Sequence, residues 1–278
     1  MCTIVLLRDV HPDWPLVIAA NRDEIFARNS LPPLWFSGTP GVLGGMDQVG
    51  GGTWLGTTQE GFFAAVTNQR TWKPPNPGLD SRGQLVLDVT RQGSPGGARE
   101  LLEALDARRY NPFHVVFGDS RQLYYGTGSM DGASVLVEEV PAGIHILGNE
   151  KLNESPPGSL QVLRTRFSET PAPEWLQLQN WLQTMLSDHT RIPESMVTAP
   201  PPDSPISREQ ALQATAVCVH GGLYGTRSAT IVALTPRGVA RYLHAEGPPC
   251  STPFVDALWM FRDRQALRAP DSERMETS

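Results

Sequence analysis

The order in which hydrophobic periods follow one another constrains this chain most. Short apolar runs with β-branched members come first, at 2–7, 16–20 and 61–67. The period then changes. Leu85, Val86 and Val89 within 81–91 recur at helical spacing, as do Leu101, Leu102 and Leu105 within 97–108. Strand-like runs return at 114–118, 123–126, 134–140 and 144–147. Two more helical stretches follow at 160–167 and 174–186; Trp175, Leu178, Leu182 and Met185 line one face of the second. The last strand-like runs are 216–220, 228–234 and 239–245. Helices are grouped rather than alternating singly with strands, which argues against a doubly wound parallel sheet. The pattern predicts one α+β domain over 1–268, with antiparallel sheets and helices packed on their faces, and a disordered polar tail over 269–278. The prolines and aspartates of 9–15 predict a turn that folds 2–7 and 16–20 into a hairpin.

Composition narrows the function classes. Apolar residues make up 40% of 278, ample for a sizeable core. A net charge of −6 offers no basic face for nucleic acid. No apolar run approaches the roughly 18–20 residues of a membrane span, and no signal-like start is present, so a cytosolic location and no stable membrane insertion are expected. Lysine occurs only at 73 and 151, and prolines number 25, which suggests a GC-rich bacterial genome. The three cysteines (2, 218 and 250) and six scattered histidines form no Cys-x-x-Cys or His-x-x-x-His pair, so neither a disulfide framework nor a metal site is expected.

Chemistry concentrates at strand ends. Cys2 follows the initiator Met, and its small side chain permits methionine removal. The freed α-amine, with a pKa of roughly 7.7–8.0, accepts the thiol proton near neutrality. One residue is then nucleophile and base at once. Asn21-Arg22-Asp23-Glu24 ends an apolar strand that the hairpin brings beside the chain start. Asp23 is a candidate to orient the α-amine, and Arg22 to hold a thiolate or a substrate carboxylate. Asn68 and Asn149 both close apolar strands, where a side-chain amide can stabilise an oxyanion. Arg227, in Tyr-Gly-Thr-Arg-Ser-Ala-Thr, is a candidate site cation or ion-pair partner for Asp23. Gly50–Gly56 lacks the Lys-Ser/Thr ending of a phosphate loop and reads as close backbone approach beside a site. Taken singly, each feature also has an ordinary explanation: a small buried thiol, a turn at a strand end, a surface arginine.

In combination they are specific. Met-Cys-Thr-Ile, Ala-Ala-Asn-Arg-Asp-Glu, Gly-Gly-Thr-Trp-Leu-Gly, Thr-Asn-Gln-Arg and Tyr-Gly-Thr-Arg-Ser-Ala-Thr occur in this order. The chain closely resembles the NRDE family, also called the transport and Golgi organisation 2 family, from Cys2 to about Leu243. That family in turn looks like the cysteine-type N-terminal nucleophile hydrolases, which include penicillin V acylases and bile-salt hydrolases. The resemblance implies a four-layer αββα sandwich. It implies Cys2, Asp23, Asn68, Asn149 and Arg227 as catalytic residues and Asn21, Arg22, Trp54 and Arg70 as substrate-binding ones. Two departures stand out. The hydrolases carry an arginine two positions before their asparagine, where this chain has Ala19. Relatives continue after Asn149 with a small-polar, Trp-Pro-Lys-like segment, where this chain reads Glu-Lys-Leu-Asn-Glu-Ser-Pro-Pro.

Three functions compete at this level. The first is an amide hydrolase or acyltransferase acting on a small acyl amide or thioester, with no built-in cofactor. The second is a non-catalytic carrier using the same cavity for acyl lipid or haem. The third is an interaction module without activity. Oligomeric state is left open by the sequence.

Overall fold

The computed structural model describes residues 3–154 and 158–262. Cys2 and the expected tail at 269–278 lie outside the described residues. In chain order the elements are β1 (Thr3–Arg8), β2 (Leu16–Ile25), β3 (Ser30–Phe36), β4 (Val42–Asp47), β5 (Leu55–Thr57), β6 (Phe63–Asn68), α1 (Arg82–Arg91), α2 (Pro95–Glu103), β7 (Phe113–Gly118), β8 (Leu123–Gly128), β9 (Leu136–Glu139), β10 (Gly143–Leu147), α3 (Gly158–Glu169), α4 (Trp175–Leu186), α5 (Arg208–Gln213), β11 (Tyr224–Thr235), β12 (Gly238–Ala245) and β13 (Val255–Asp256).

The predicted hairpin forms. Asp9 donates its amide to the Pro15 carbonyl at 2.7 Å, and β1 pairs with β2 from Thr3 opposite Asn21 to Arg8 opposite Leu16. This hairpin sits inside an antiparallel sheet of order β10-β1-β2-β11-β12-β13. A second antiparallel sheet runs β3-β4-β5-β6-β7-β8-β9.

Period-two alternation explains how the sheets stack. Even-numbered side chains of the hairpin, Ile4, Leu6, Leu16 and Ile18, meet Leu43, Leu55, Phe63 and Val116 of the second sheet. Odd-numbered Val5, Leu7, Val17 and Ala19 meet Leu178, Leu182, Met185 and Leu186 of α4. The outer face of the second sheet packs Phe62, Val115 and Phe117 on Leu85, Val86 and Val89 of α1 and Leu102 of α2. The layers are therefore helix, sheet, sheet, helix, as the family resemblance implied. Each fully buried aliphatic side chain contributes about 1.5–3 kcal/mol.

The inter-sheet core is closed at one end by residues late in the chain. Met260 and Phe261 are buried there, the Trp35 indole donates to the Met260 carbonyl at 2.9 Å, and the Phe261 ring lies 5.5 Å from Trp35 and 5.4 Å from Tyr242.

Some local expectations needed correction. The run 216–220 is not a strand but a bent, largely buried connection: Cys218 donates its amide to Asp188 and Val219 to the Thr226 hydroxyl. β3, to which no strand was assigned from the sequence, carries Pro32 and Pro33; they are tolerated because β3 is the sheet edge and its register slips between Leu31 and Leu34. β4 precedes and β5 closes the glycine-rich stretch 50–56, to which no strand was assigned. α2 ends at Glu103, earlier than the expected 108. The short α5 carries a Ser207/Gln210 capping box that periodicity alone did not reveal.

Candidate functional site

Everything at the candidate site hangs on the end of β1 that begins at Thr3. This strand lies between β2 and β10, so its start faces Asn21 on one side and Leu147, opposite Ile4, on the other. The first three NRDE residues are buried, Asn21, Arg22 and Asp23 being 1%, 4% and 5% exposed, and Glu24 is half-buried. Alternation splits them between two faces.

Asn21 and Asp23 point to the helix side. The Asn21 amide donates to the carbonyls of Leu186 at 2.8 Å and Val217 at 2.9 Å. It thereby ties the end of α4 to the connection before β11. The Thr226 hydroxyl donates to Asp23 Oδ1 at 2.6 Å and accepts from the Val219 amide at 2.9 Å. Burial pushes the Asp23 carboxyl up to about 6, against a lowering from the Thr226 hydrogen bond.

Arg22 points the other way, into the space between the sheets. Its guanidinium stacks over the Trp54 ring at 4.4 Å and reaches Ser30 Oγ at 3.4 Å. Among the described residues no carboxylate lies within ion-pair distance of it. Trp54 has room because residue 45 is glycine: a Cβ there would stand 2.2 Å from the indole. The neighbouring loop presses on α1 in the same way, with Gly52 at φ +76° and a Cβ there 2.1 Å from the Gly83 carbonyl carbon.

The second sheet contributes Asn68, the exposed last residue of β6. Its carbonyl accepts from the Asn149 side chain, and the Arg70 amide donates to the Asn149 carbonyl at 3.1 Å. The Asn68 side-chain amide has no hydrogen-bond partner among the described residues. Asn149 Oδ1 is buried and likewise without one. Arg70 pairs with Glu150 at 2.6 Å and lies 4.8 Å over Trp72. The segment after Asn149 that departs from the relatives thus supplies the carboxylate partner of Arg70. Beside Asn149, burial holds His114 down at about 4, so its ring is neutral and Nδ1 takes the Tyr125 hydroxyl at 2.8 Å.

Arg227 stands apart. It is the extra residue of a bulge between Thr226 and Ser228, and its guanidinium reaches the Phe26 carbonyl and ring. From β11 it is Thr226 rather than Arg227 that reaches the Asp23 carboxylate, and the Tyr224 hydroxyl donates to the Asp23 carbonyl at 3.2 Å. Sequence reading passed over Thr226, whose position opposite Asp23 only strand pairing reveals.

A second cluster was unexpected. His189, Cys218, His220 and Cys250 bring their ligand atoms within 4.8 Å of one another. They are too scattered in sequence to show metal-ligand spacing.

The profile of the family described as "Transport and Golgi organisation 2" matches residues 1–246. The Mus musculus transport and Golgi organization 2 homolog is 27% identical over 258 residues, covering 86% of this chain and 90% of that protein. The Drosophila melanogaster protein 2 of the same name is 33% identical over 153 residues, covering 51% of this chain and 52% of its own. Among solved structures, a cysteine-to-alanine mutant of the conjugated bile acid hydrolase from Clostridium perfringens aligns with a TM-score of 0.54 over 92% of each chain, at 12% identity. At that identity the likeness concerns the fold: two stacked antiparallel sheets between helices, as in the N-terminal nucleophile hydrolases.

Proposed function

The chain belongs to the transport and Golgi organisation 2 family, and from that footing we propose that it is an N-terminal cysteine amidohydrolase or acyltransferase. The observation that carries this reading is the pairing of Thr3 with Asn21, which sets the start of β1 beside the buried Asp23. The hydrolase name of a fold neighbour lends further support.

In this reading, removal of Met1 frees the Cys2 α-amine, which accepts the thiol proton. The thiolate attacks the carbonyl carbon of an acyl amide or thioester. The resulting oxyanion is held by donors such as the Asn68 side-chain amide. Collapse of the intermediate breaks the bond to the leaving group, which takes the proton back from the α-ammonium. Water, or an acceptor amine, then attacks the acyl-thioester and releases Cys2. Asp23 holds the amine, and Thr226 holds Asp23. Arg22, a buried cation stacked on Trp54 without a carboxylate partner among the described residues, favours substrates that carry an anionic group.

The test is intact mass before and after a thiol-directed electrophile, with Cys2→Ala as control. Loss of Met1 and rapid single labelling at Cys2 are expected. Retained Met1, or a Cys2 no more reactive than Cys218 and Cys250, overturns the proposal.

A further inference from the structure

Three chain segments meet behind the NRDE motif. His189 follows α4. Cys218 and His220 lie on the bent connection before β11, their alternate positions turned to one side. Cys250 sits in the turn after β12, where Ser251 and Thr252 both donate to the Pro248 carbonyl. Cys218 Sγ lies 3.8 Å from Cys250 Sγ and 3.9 Å from His220 Nε2, and His220 Nε2 lies 3.1 Å from Cys250 Sγ. A tetrahedral zinc with bonds of about 2.0–2.3 Å requires ligand-to-ligand edges of about 3.3–3.8 Å. The sulfur pair meets that edge, whereas a disulfide needs about 2.0 Å.

The ring orientation is also set. His189 Nδ1 lies 3.0 Å from the Cys218 carbonyl, which can only accept, so Nδ1 carries the proton and Nε2 keeps its lone pair. A backbone carbonyl on the far nitrogen is the usual partner of a metal-bound histidine. The four ligand atoms lie within 4.8 Å of one another, about 1 Å beyond a tetrahedral edge, and His189, His220 and Cys250 are exposed.

We propose that His189, Cys218, His220 and Cys250 form a four-coordinate structural site for a zinc-type divalent cation. Two sulfurs and two imidazoles in tetrahedral arrangement suit zinc rather than magnesium or calcium. Cys218 is buried, and a bound cation supplies the charge that makes a coordinating thiol a thiolate. The ion staples together segments already gripped by Asn21, which bonds Leu186 and Val217, and by Thr226, which bonds Val219 and Asp23. The site thus braces the rear of the NRDE motif, and it stands whether or not Cys2 is a nucleophile.

The test uses the full chain, reduced, untagged by polyhistidine and purified without chelator. Elemental mass spectrometry should find one zinc per chain. Cobalt(II) added to chelator-treated protein should give the intense d–d bands and thiolate charge-transfer absorption of a tetrahedral site. Cys250→Ser, at an exposed position that leaves the core intact, should weaken zinc binding more than about a hundredfold. Chelation should lower the Tm of the unmodified chain and leave that of Cys250→Ser unchanged. A reduced chain that takes up neither zinc nor cobalt, a cobalt spectrum without thiolate character, or a Cys218–Cys250 disulfide forming readily in the presence of zinc each overturns the proposal.

Discussion

The two faces of β2 at the NRDE motif do different work with adjacent residues. On the helix face, Asn21 and Asp23 are locked in hydrogen bonds that hold other segments: α4, the connection before β11, and Thr226. On the inter-sheet face, Arg22 stacks on an indole and meets no carboxylate among the described residues. One face spends its polarity on the fold; the other keeps a charge available. A short polar motif on a strand is two half-motifs, one on each face, alternating residue by residue. Substitutions should therefore separate stability from reactivity according to parity.

The largest effect should come from Asn21→Ala. It strips a shared donor from two buried carbonyls, and unfolding in urea should show a loss of about 3 kcal/mol. A loss below about 1 kcal/mol would erase the distinction between the faces.

Next comes the acid titration of Asp23. Its carboxyl titrates near 6 in the folded chain against 3.8 as the reference, so between those values the folded state binds more protons than the unfolded. The resulting stabilisation is complete below the reference pKa and is lost as pH rises through about 6, amounting to about 3 kcal/mol. Asp23→Asn should lack this window, so its stability relative to the unmodified chain should rise by that amount between pH 4 and pH 7. Parallel pH profiles for the two proteins would contradict it. His114 opposes the trend: held at about 4 by burial, it favours the fold increasingly as pH rises toward its reference value of 6.5. His114→Phe should therefore unmask a steeper Asp23 slope.

Thr226→Val removes one hydroxyl shared by Asp23 and the Val219 amide. A loss of about 2 kcal/mol is expected in the same unfolding measurement, together with an upward move of the Asp23 titration.

Arg22→Met should change stability least, within about 1 kcal/mol, because an apolar side chain of similar length replaces a desolvated cation. Its signature lies in reactivity. The ratio of Cys2 labelling by iodoacetate to that by iodoacetamide should fall by about tenfold as the attraction for the carboxylate reagent is lost. An unchanged ratio would place Arg22 with its neighbours as scaffold.

What could be read in advance follows the range of each interaction. The β1–β2 hairpin, the grouped helices and the family motifs are local or ordered along the chain, and all were legible. β3 was hidden because prolines forbid an interior strand but not an edge. The run 216–220 has a strand's composition, but its amides are claimed by Asp188 and Thr226. The role of Thr226 depends on lying opposite Asp23 across more than two hundred residues of sequence, and the His/Cys cluster depends on three distant segments meeting. No spacing rule reports such meetings.

The family profile stops at residue 246, yet Met260 and Phe261 fill the space against Trp35 and Tyr242. The stretch over which relatives can be aligned is thus shorter than the stretch that must be translated for the protein to close. A gene trimmed at the family boundary would encode a sandwich open at one end, its Trp35 and Tyr242 rings turned to water. Anyone excising this domain for fusion or expression should carry the reading frame past Phe261.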